Sequence, residues 1–396
     1  MGTVVFDARS VREVPTGLGR VAGNLMRALA RIDSENEYVI VQRSSLARSI
    51  SPSPRFRVVR VPYDIATVRN ALWFHRTLRR HRPAVYHSLY SFLPRWIPSG
   101  IRTVVTVHDF MWIQRPSASA AVPWKGWVNG LYGRPMHAHT VGVADHLACI
   151  SAHTAGDLRQ LFPDCDGPIS VIQHGVDCDE FEAGKTSSRI QRYGGSRFIL
   201  SIGHGRPYKN PEATLRAFAR IRRESRHADI RLVMAGRADT RSRLAPRIRA
   251  AGLTDAVDFT GPVSNADLAY LLRSAQLLSF PSRWEGFGLP VIEAFAFGCP
   301  VVASRRGALK EIAEGTAWML DDPESDEELA AAMSAIINDR GTRERLRARG
   351  FQRATGFTWE RAARSYLDIY RSLMMSSPRS LHGPGPRPPT GVPQPD

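Results

Sequence analysis

Short apolar runs alternate with longer amphipathic stretches along almost the whole chain. Runs at 4–8, 38–42, 57–61, 85–87, 103–107 and 146–150 read as strands in the first half, and runs at 198–202, 231–235, 257–260, 277–280 and 301–303 in the second. Strands separated by helix-length segments predict parallel sheets with crossover helices, so the fold class is α/β with two Rossmann-like units. Ser151 with Thr154 and Ser264 with Asp267 have the spacing of helix caps. A helix over 359–374 is predicted with Ala362, Ala363, Tyr366, Ile369 and Tyr370 on its apolar side. Another starts near Ala66, with Val68, Leu72 and Trp73 apolar, and ends in the basic stretch His75 to Arg82.

Between the two sets of strands, 182–188 is small, polar and turn-prone. The expected division is therefore 1–178, 179–356, a closing helix at 357–375, and a tail at 376–396. Seven prolines and three glycines leave that tail nothing to bury, and it is expected to be disordered.

The 396 residues, 43% of them hydrophobic, suffice for two cores of ordinary size. The four cysteines form no C-x-x-C pair and no zinc-spaced cluster, so neither a disulfide framework nor a structural metal is expected. The first residues enter a strand directly and no apolar run reaches membrane-spanning length, so the expected place is the cytoplasm. The formal charge of +17 favours anionic partners. No nucleic-acid module accompanies it. The basic helix end is a candidate for peripheral contact with an anionic membrane face, against the plain alternative of a solvated surface.

Chemistry concentrates at Trp284-Glu285-Gly286-Phe287-Gly288-Leu289-Pro290-Val291-Ile292-Glu293. Two carboxylates eight positions apart flank a glycine loop between a strand and a helix start, where free amides suit phosphate oxygens. After the strand at 198–202, the loop Gly203 to Pro211 carries Arg206 and Lys209, two cations able to neutralise a diphosphate. His108-Asp109 ends the strand at 103–107, where open α/β sheets place their ligand crevice. Gly17-Leu18-Gly19-Arg20-Val21-Ala22 formally matches a dinucleotide fingerprint, but the second strand ends in Gln42-Arg43-Ser44 and lacks the carboxylate an NAD ribose needs.

The Glu-x7-Glu spacing, Pro281-Ser282 before it and Ala294 to Ala303 after it resemble the retaining, nucleotide-sugar-dependent glycosyltransferases of family 4, from Met1 to Tyr370. The resemblance implies a GT-B fold, in which two Rossmann-like domains face each other across a cleft and the closing helix returns to the first. It implies a hexose transferred to a saccharide or lipid-linked acceptor, with the donor on the C-terminal domain and the acceptor on the N-terminal one. In it Glu293 takes the ribose hydroxyls, Glu285 the donor sugar, and Arg206, Lys209 and the amides of Gly286, Phe287, Gly288 and Leu289 the diphosphate. His108 faces the sugar, while Gly17 and Gly19 let acceptor and phosphate approach. The arginine that family members often carry directly after the first loop glycine is His204 here; Arg206, two positions later, is the candidate to replace it, and the departure leaves its role less fixed than that of Lys209. Asp145 to Ser151 is expected to be structural, and Asp109 either caps a helix or orients the His108 ring.

No cofactor or metal is implied. The Trp-Glu-Gly-Phe-Gly-Leu-Pro form of the loop is similar to that of mannosyltransferases of surface-polysaccharide assembly, which makes GDP-mannose the first candidate donor. A GT-B epimerase or phosphorylase, and a basic binding protein that has lost catalysis, are the alternatives.

Overall fold

The computed structural model describes residues 2–9, 11, 17–46, 51–64, 67–116, 123–203, 205–236 and 239–376. Thr16, Ala66, His204 and the 377–396 part of the expected tail lie outside the described residues, as do the side chains of Val68 and Leu72.

Strands β1 (Thr3–Asp7), β2 (Glu37–Arg43), β3 (Phe56–Val61), β4 (Val85–Ser88), β5 (Arg102–Val107), β6 (His146–Cys149) and β7 (Ile169–Val171) form one parallel sheet, in the order β3-β2-β1-β4-β5-β6-β7. A second parallel sheet runs β10-β9-β8-β11-β12-β13, with β8 (Phe198–Ile202), β9 (Arg231–Ala235), β10 (Val257–Gly261), β11 (Leu277–Phe280), β12 (Val301–Ser304) and β13 (Trp318–Leu320). Each central strand is apolar on both faces. Val4 and Phe6 enter the core shared with the helices Gly17–Ile32 and Trp359–Met375, whereas Val5 enters the one holding Phe74 and Leu78.

Strand β13 is absent from the sequence expectation. Three residues at a sheet edge, with Trp318 37% exposed, carry too little periodicity to announce a strand. The helix Val68–His81 also corrects the sequence reading: Trp73 is 45% exposed with Arg76 stacked 4.0 Å over its ring, and the buried face is Phe74 with Leu78. Ser264 makes the full capping box with Asp267, and the Ser151 hydroxyl accepts from Thr154 N–H. Asp145 braces the start of β5 through Thr103 and Arg102.

The helix Trp359–Met375 buries Ala362, Ala363, Tyr366, Ile369 and Tyr370 against the first sheet. A wholly buried polar chain fixes its position there: His87 Nδ1 lies 2.7 Å from the Tyr370 hydroxyl, His87 Nε2 lies 2.8 Å from Thr106 Oγ1, and that oxygen lies 2.7 Å from the Tyr366 hydroxyl. The connection after β7 runs beside this helix start, with Val176 N–H donating to the Phe357 carbonyl at 3.1 Å.

Burial holds His87 and His137 neutral, each with its pKa pulled down to about 3. An unfolded histidine titrates near 6.5. Below that pH the unfolded chain binds protons that the native chain excludes, so stability is lost as pH falls from about 6.5 toward 3, by about 1.4 kcal/mol per pH unit for each such group. The thermal midpoint is therefore expected to decline from pH 7 to pH 5. A midpoint constant over that interval would contradict the burial of these rings.

Candidate functional site

Strand order reverses between β8 and β11, and the loops that leave the carboxyl ends of these neighbours are the two the sequence singles out. A parallel sheet leaves a crevice at such a point because successive crossovers depart to opposite sides. After β8, Gly203 to Asn210 turns through the short 3-10 helix Pro207–Lys209. After β11, Pro281 to Gly288 leads into the helix Leu289–Ala296, with Gly288 at its N-cap. Its φ of +110° needs a residue without Cβ, and an added Cβ would stand 2.7 Å from Leu309 Cδ2.

Lys209 and Glu285 meet in this crevice, with Nζ 2.6 Å from Oε1. Both are largely shielded from water, and the ammonium lies 4.7 Å from the Phe280 ring centroid. Burial, the largest influence, pulls the Lys209 pKa down; Glu285, Tyr208 and Glu293 together more than offset it, so the pKa is raised and the cation kept. Arg206 is exposed and forms no ion pair among the described residues. Phe287 turns into the core against His174 and Phe357, so its backbone, not its ring, borders the crevice.

Glu293 is 2% exposed, on the helix Leu289–Ala296. Burial is the main influence on its carboxyl and raises the pKa, while Arg20 opposes. Oε1 receives Arg20 Nη2 at 2.6 Å, and Oε2 is buried with no hydrogen-bond partner.

From the first sheet, His108 follows β5. Its Nε2 is 3.1 Å from the Leu89 carbonyl, which can only accept, so Nε2 carries the proton and Nδ1 is left as an acceptor. Burial lowers its pKa to about 4, more than the Leu89 contact restores. Asp109 does not orient this ring: its Oδ1 accepts from Met111 N–H at 2.9 Å, at the start of the helix Met111–Gln114. Gly17 and Gly19 lie in the first turn of the helix Gly17–Ile32, not in a loop, and a Cβ at the exposed Gly17 would meet nothing within 4 Å.

The two halves touch at the site. A Cβ at Gly286 would stand 2.3 Å from the His108 carbonyl oxygen, and Thr154 Oγ1 is 3.4 Å from the carbonyls of both residues. Glu311 of the second half accepts from the amides of Ala152 and His153 at 3.1 and 3.0 Å, closing the N-terminus of the helix Ala152–Leu161.

Lys209, Glu285 and Glu293 thus lie together on the second half, one cation with two carboxylates, and Gly286 beside them meets the His108 carbonyl across the junction between the halves. Such a constellation can neutralise a diphosphate and accept hydrogen bonds from hydroxyls. Arg20 and Glu311 are additions that sequence reasoning did not reach. Arg20 had a visible signal, a cation directly after Gly17-x-Gly19, whereas Glu311 had none.

Residues 184–353 match the family described as glycosyl transferases group 1, and residues 15–180 match glycosyltransferase family 4. An MMP alpha-(1->4)-mannosyltransferase of Mycolicibacterium hassiacum is 30% identical over 281 residues, which are 69% of this chain and 66% of that protein. The chain spans about two thirds or less of the length of the first curated relatives it matches. Among solved structures, the sucrose-phosphate synthase of Thermosynechococcus elongatus superposes with a TM-score of 0.77 at 19% identity, covering 95% of this chain and all of that one. Anabaena HepE in complex with UDP and glucose superposes at 0.70 with 16% identity, covering 94% of this chain and all of that one.

Proposed function

We propose, since this chain belongs to glycosyltransferase family 4, the group 1 glycosyl transferases with the GT-B fold, that it transfers a hexose with retention from a nucleotide diphosphate sugar to a hydroxyl of a saccharide or lipid-linked acceptor. The observation that carries this reading is the Lys209–Glu285 pair at the switch point of the second sheet, with Glu285 on the loop that leads into the helix carrying the half-satisfied Glu293. In this reading the ribose hydroxyls donate to Glu293, and Lys209 neutralises the diphosphate, with Arg206 joining from the rim. Glu285 then exchanges part of its bond with Lys209 for hydroxyls of the donor sugar.

The acceptor hydroxyl attacks the anomeric carbon on the face the diphosphate leaves. The bond from that carbon to the phosphate oxygen breaks, a phosphate oxygen takes the acceptor proton, and the charge left behind falls to Lys209 and the amides of Gly286 to Leu289. His108 is neutral at pH 7 and offers Nδ1 to a sugar hydroxyl, which suits positioning and not proton donation. Contact between the halves at Gly286 and His108 excludes water and limits hydrolysis of the donor. No metal enters this scheme.

GDP-mannose remains the first candidate donor, supported by the loop sequence and by the mannosyltransferase among the relatives; UDP-glucose is the second, since HepE binds UDP and glucose. No helix among the described residues is long and apolar enough to cross a membrane. Trp73, Arg76, Arg79 and Arg80, all exposed, form the surface proposed for contact with anionic lipid headgroups.

A thermal-shift panel of GDP, UDP and ADP with their sugars tests the donor site, because a ligand that binds only the native state raises the midpoint with the ratio of its concentration to its Kd. One base family is expected to stabilise the protein, in EDTA as well as without it, and the shift is expected to vanish in Glu293→Ala. Absence of any nucleotide response would defeat the reading, and a response that requires manganese would defeat its metal-free part.

A further inference from the structure

The helix Gly17–Ile32 packs on the first sheet through Val21, Ala22, Leu25, Met26, Ala28 and Leu29. Its first turn reaches the other half of the molecule. Arg20 extends over the Phe181 ring, 4.9 Å from the centroid, and its Nη2 lies 2.6 Å from Glu293 Oε1. Arg20 is largely shielded, with its Nε buried and without a hydrogen-bond partner. An ionised carboxylate has about four lone-pair sites. One contact from Arg20 therefore leaves Oε2 and a second lone pair of Oε1 for other donors, enough for two vicinal hydroxyls.

We infer that Arg20 is a positioning residue for the donor ribose: from the N-terminal half it holds the Glu293 carboxylate ionised and in one orientation, so that the ribose site is complete only when the two halves are together. The inference rests on the assignment of Glu293 to the ribose. It differs from a static surface ion pair because the partners sit on helices of different halves, and separating the halves removes the cation from the carboxylate.

The charged groups facing Glu293 are Arg20 from the helix Gly17–Ile32, Glu180 from the helix Cys178–Glu182, and Lys209 from the loop after β8. Burial raises the Glu293 pKa most, Glu180 adds to it, and Arg20 and Lys209 oppose. Arg27 in turn occupies Glu180 at 2.6 Å. Without Arg20, burial and Glu180 face Lys209 alone, so Glu293 protonates at higher pH.

The test compares wild type with Arg20→Ala, Arg20→Lys, Glu293→Gln and the Arg20→Ala/Glu293→Gln pair, using the nucleoside diphosphate that the panel identifies and its 2′,3′-dideoxy analogue. Arg20→Ala is expected to raise the donor KM about 10-fold or more, with a much smaller change in kcat, the scale of one shielded charge-assisted contact. The acid limb of kcat/KM for donor should move up by about one pH unit. The preference for the ribose diphosphate over its dideoxy analogue should largely disappear, Arg20→Lys should restore most of it, and on the Glu293→Gln background Arg20→Ala should cost less than about 2-fold.

A fall in thermal midpoint with the ribose preference and the acid limb unchanged would make Arg20 merely structural and overturn the inference. If Glu293→Gln abolishes the ribose preference while Arg20→Ala leaves it intact, the inference fails and the donor-site reading stands. If neither the dideoxy analogue nor Glu293→Gln weakens binding, the donor-site reading itself fails.

Discussion

Lys209→Ala is expected to lower kcat at saturating donor by roughly 10²–10³-fold, the usual cost of removing one preorganised donor from a developing anion. Charge on the diphosphate grows as the glycosidic bond breaks, so a cation fixed beside it stabilises the transition state more than the bound substrate. The Lys209 ammonium meets the requirements for that role. It is shielded from water, remains charged because Glu285, Tyr208 and Glu293 outweigh its burial, and is held by Glu285 at 2.6 Å. Within the reading proposed for the site, the Glu285 contact holds the ammonium in place before the donor arrives, so little reorganisation is needed at the moment of reaction.

The same substitution leaves Glu285, 7% exposed, without its cation. A lower thermal midpoint is expected in consequence, and the comparison must be made well below it. Lys209→Arg keeps the charge but not the position and should recover part of the rate. Initial rates of nucleotide release with and without acceptor measure both. A Lys209→Ala enzyme within about threefold of wild-type kcat would remove Lys209 from the chemistry.

Much of this architecture is legible in the chain because its signals are local. Apolar runs buried on both faces, such as β1, β5 and β12, declare parallel sheets wherever they occur. Caps at Ser151 and Ser264 are written within four residues. The Glu285 to Glu293 loop belongs to the same class, since its glycines, its carboxylates and the following helix form one segment. What escaped depends on tertiary contacts. Trp73 looks apolar from its own helix, yet the sheet is met by Phe74 and Leu78, one position around. Arg20 and Glu293 are separated by most of the chain, and nothing near either residue names the other. The sequence allows Asp109 two roles, and only the geometry separates them, giving the carboxylate to Met111 N–H and the His108 Nε2 to the Leu89 carbonyl.

Gly286→Ala should lower kcat by about 10²-fold with little loss of thermal stability, a combination that distinguishes a contact between halves from one within a core. The Cβ it adds would sit 2.3 Å from the His108 carbonyl oxygen, closer than real atoms approach, and a tight 3.1 Å from Asp109 Cβ. Backbone cannot yield locally on that side, because the His108 carbonyl lies at the end of β5 and its own amide is tied to Ser91 Oγ at 3.1 Å. Both obstructing residues belong to the N-terminal half, whereas Gly286 belongs to the C-terminal one. The strain is therefore relieved by separating the halves by about an ångström, and misplacement on that scale costs roughly 10²-fold in rate.

Water admitted by that gap should also raise the share of donor lost to hydrolysis. Gly288→Ala offers the contrast: its φ of +110° and the Leu309 side chain 2.7 Å from the added Cβ place the conflict inside the second half, so the midpoint itself should fall. The two variants are compared by nucleotide release, by donor hydrolysis without acceptor and by thermal melting. A Gly286→Ala protein that melts early and keeps its rate would show that the close approach serves folding and not closure, because a steric conflict between halves has no reason to lower the stability of either one.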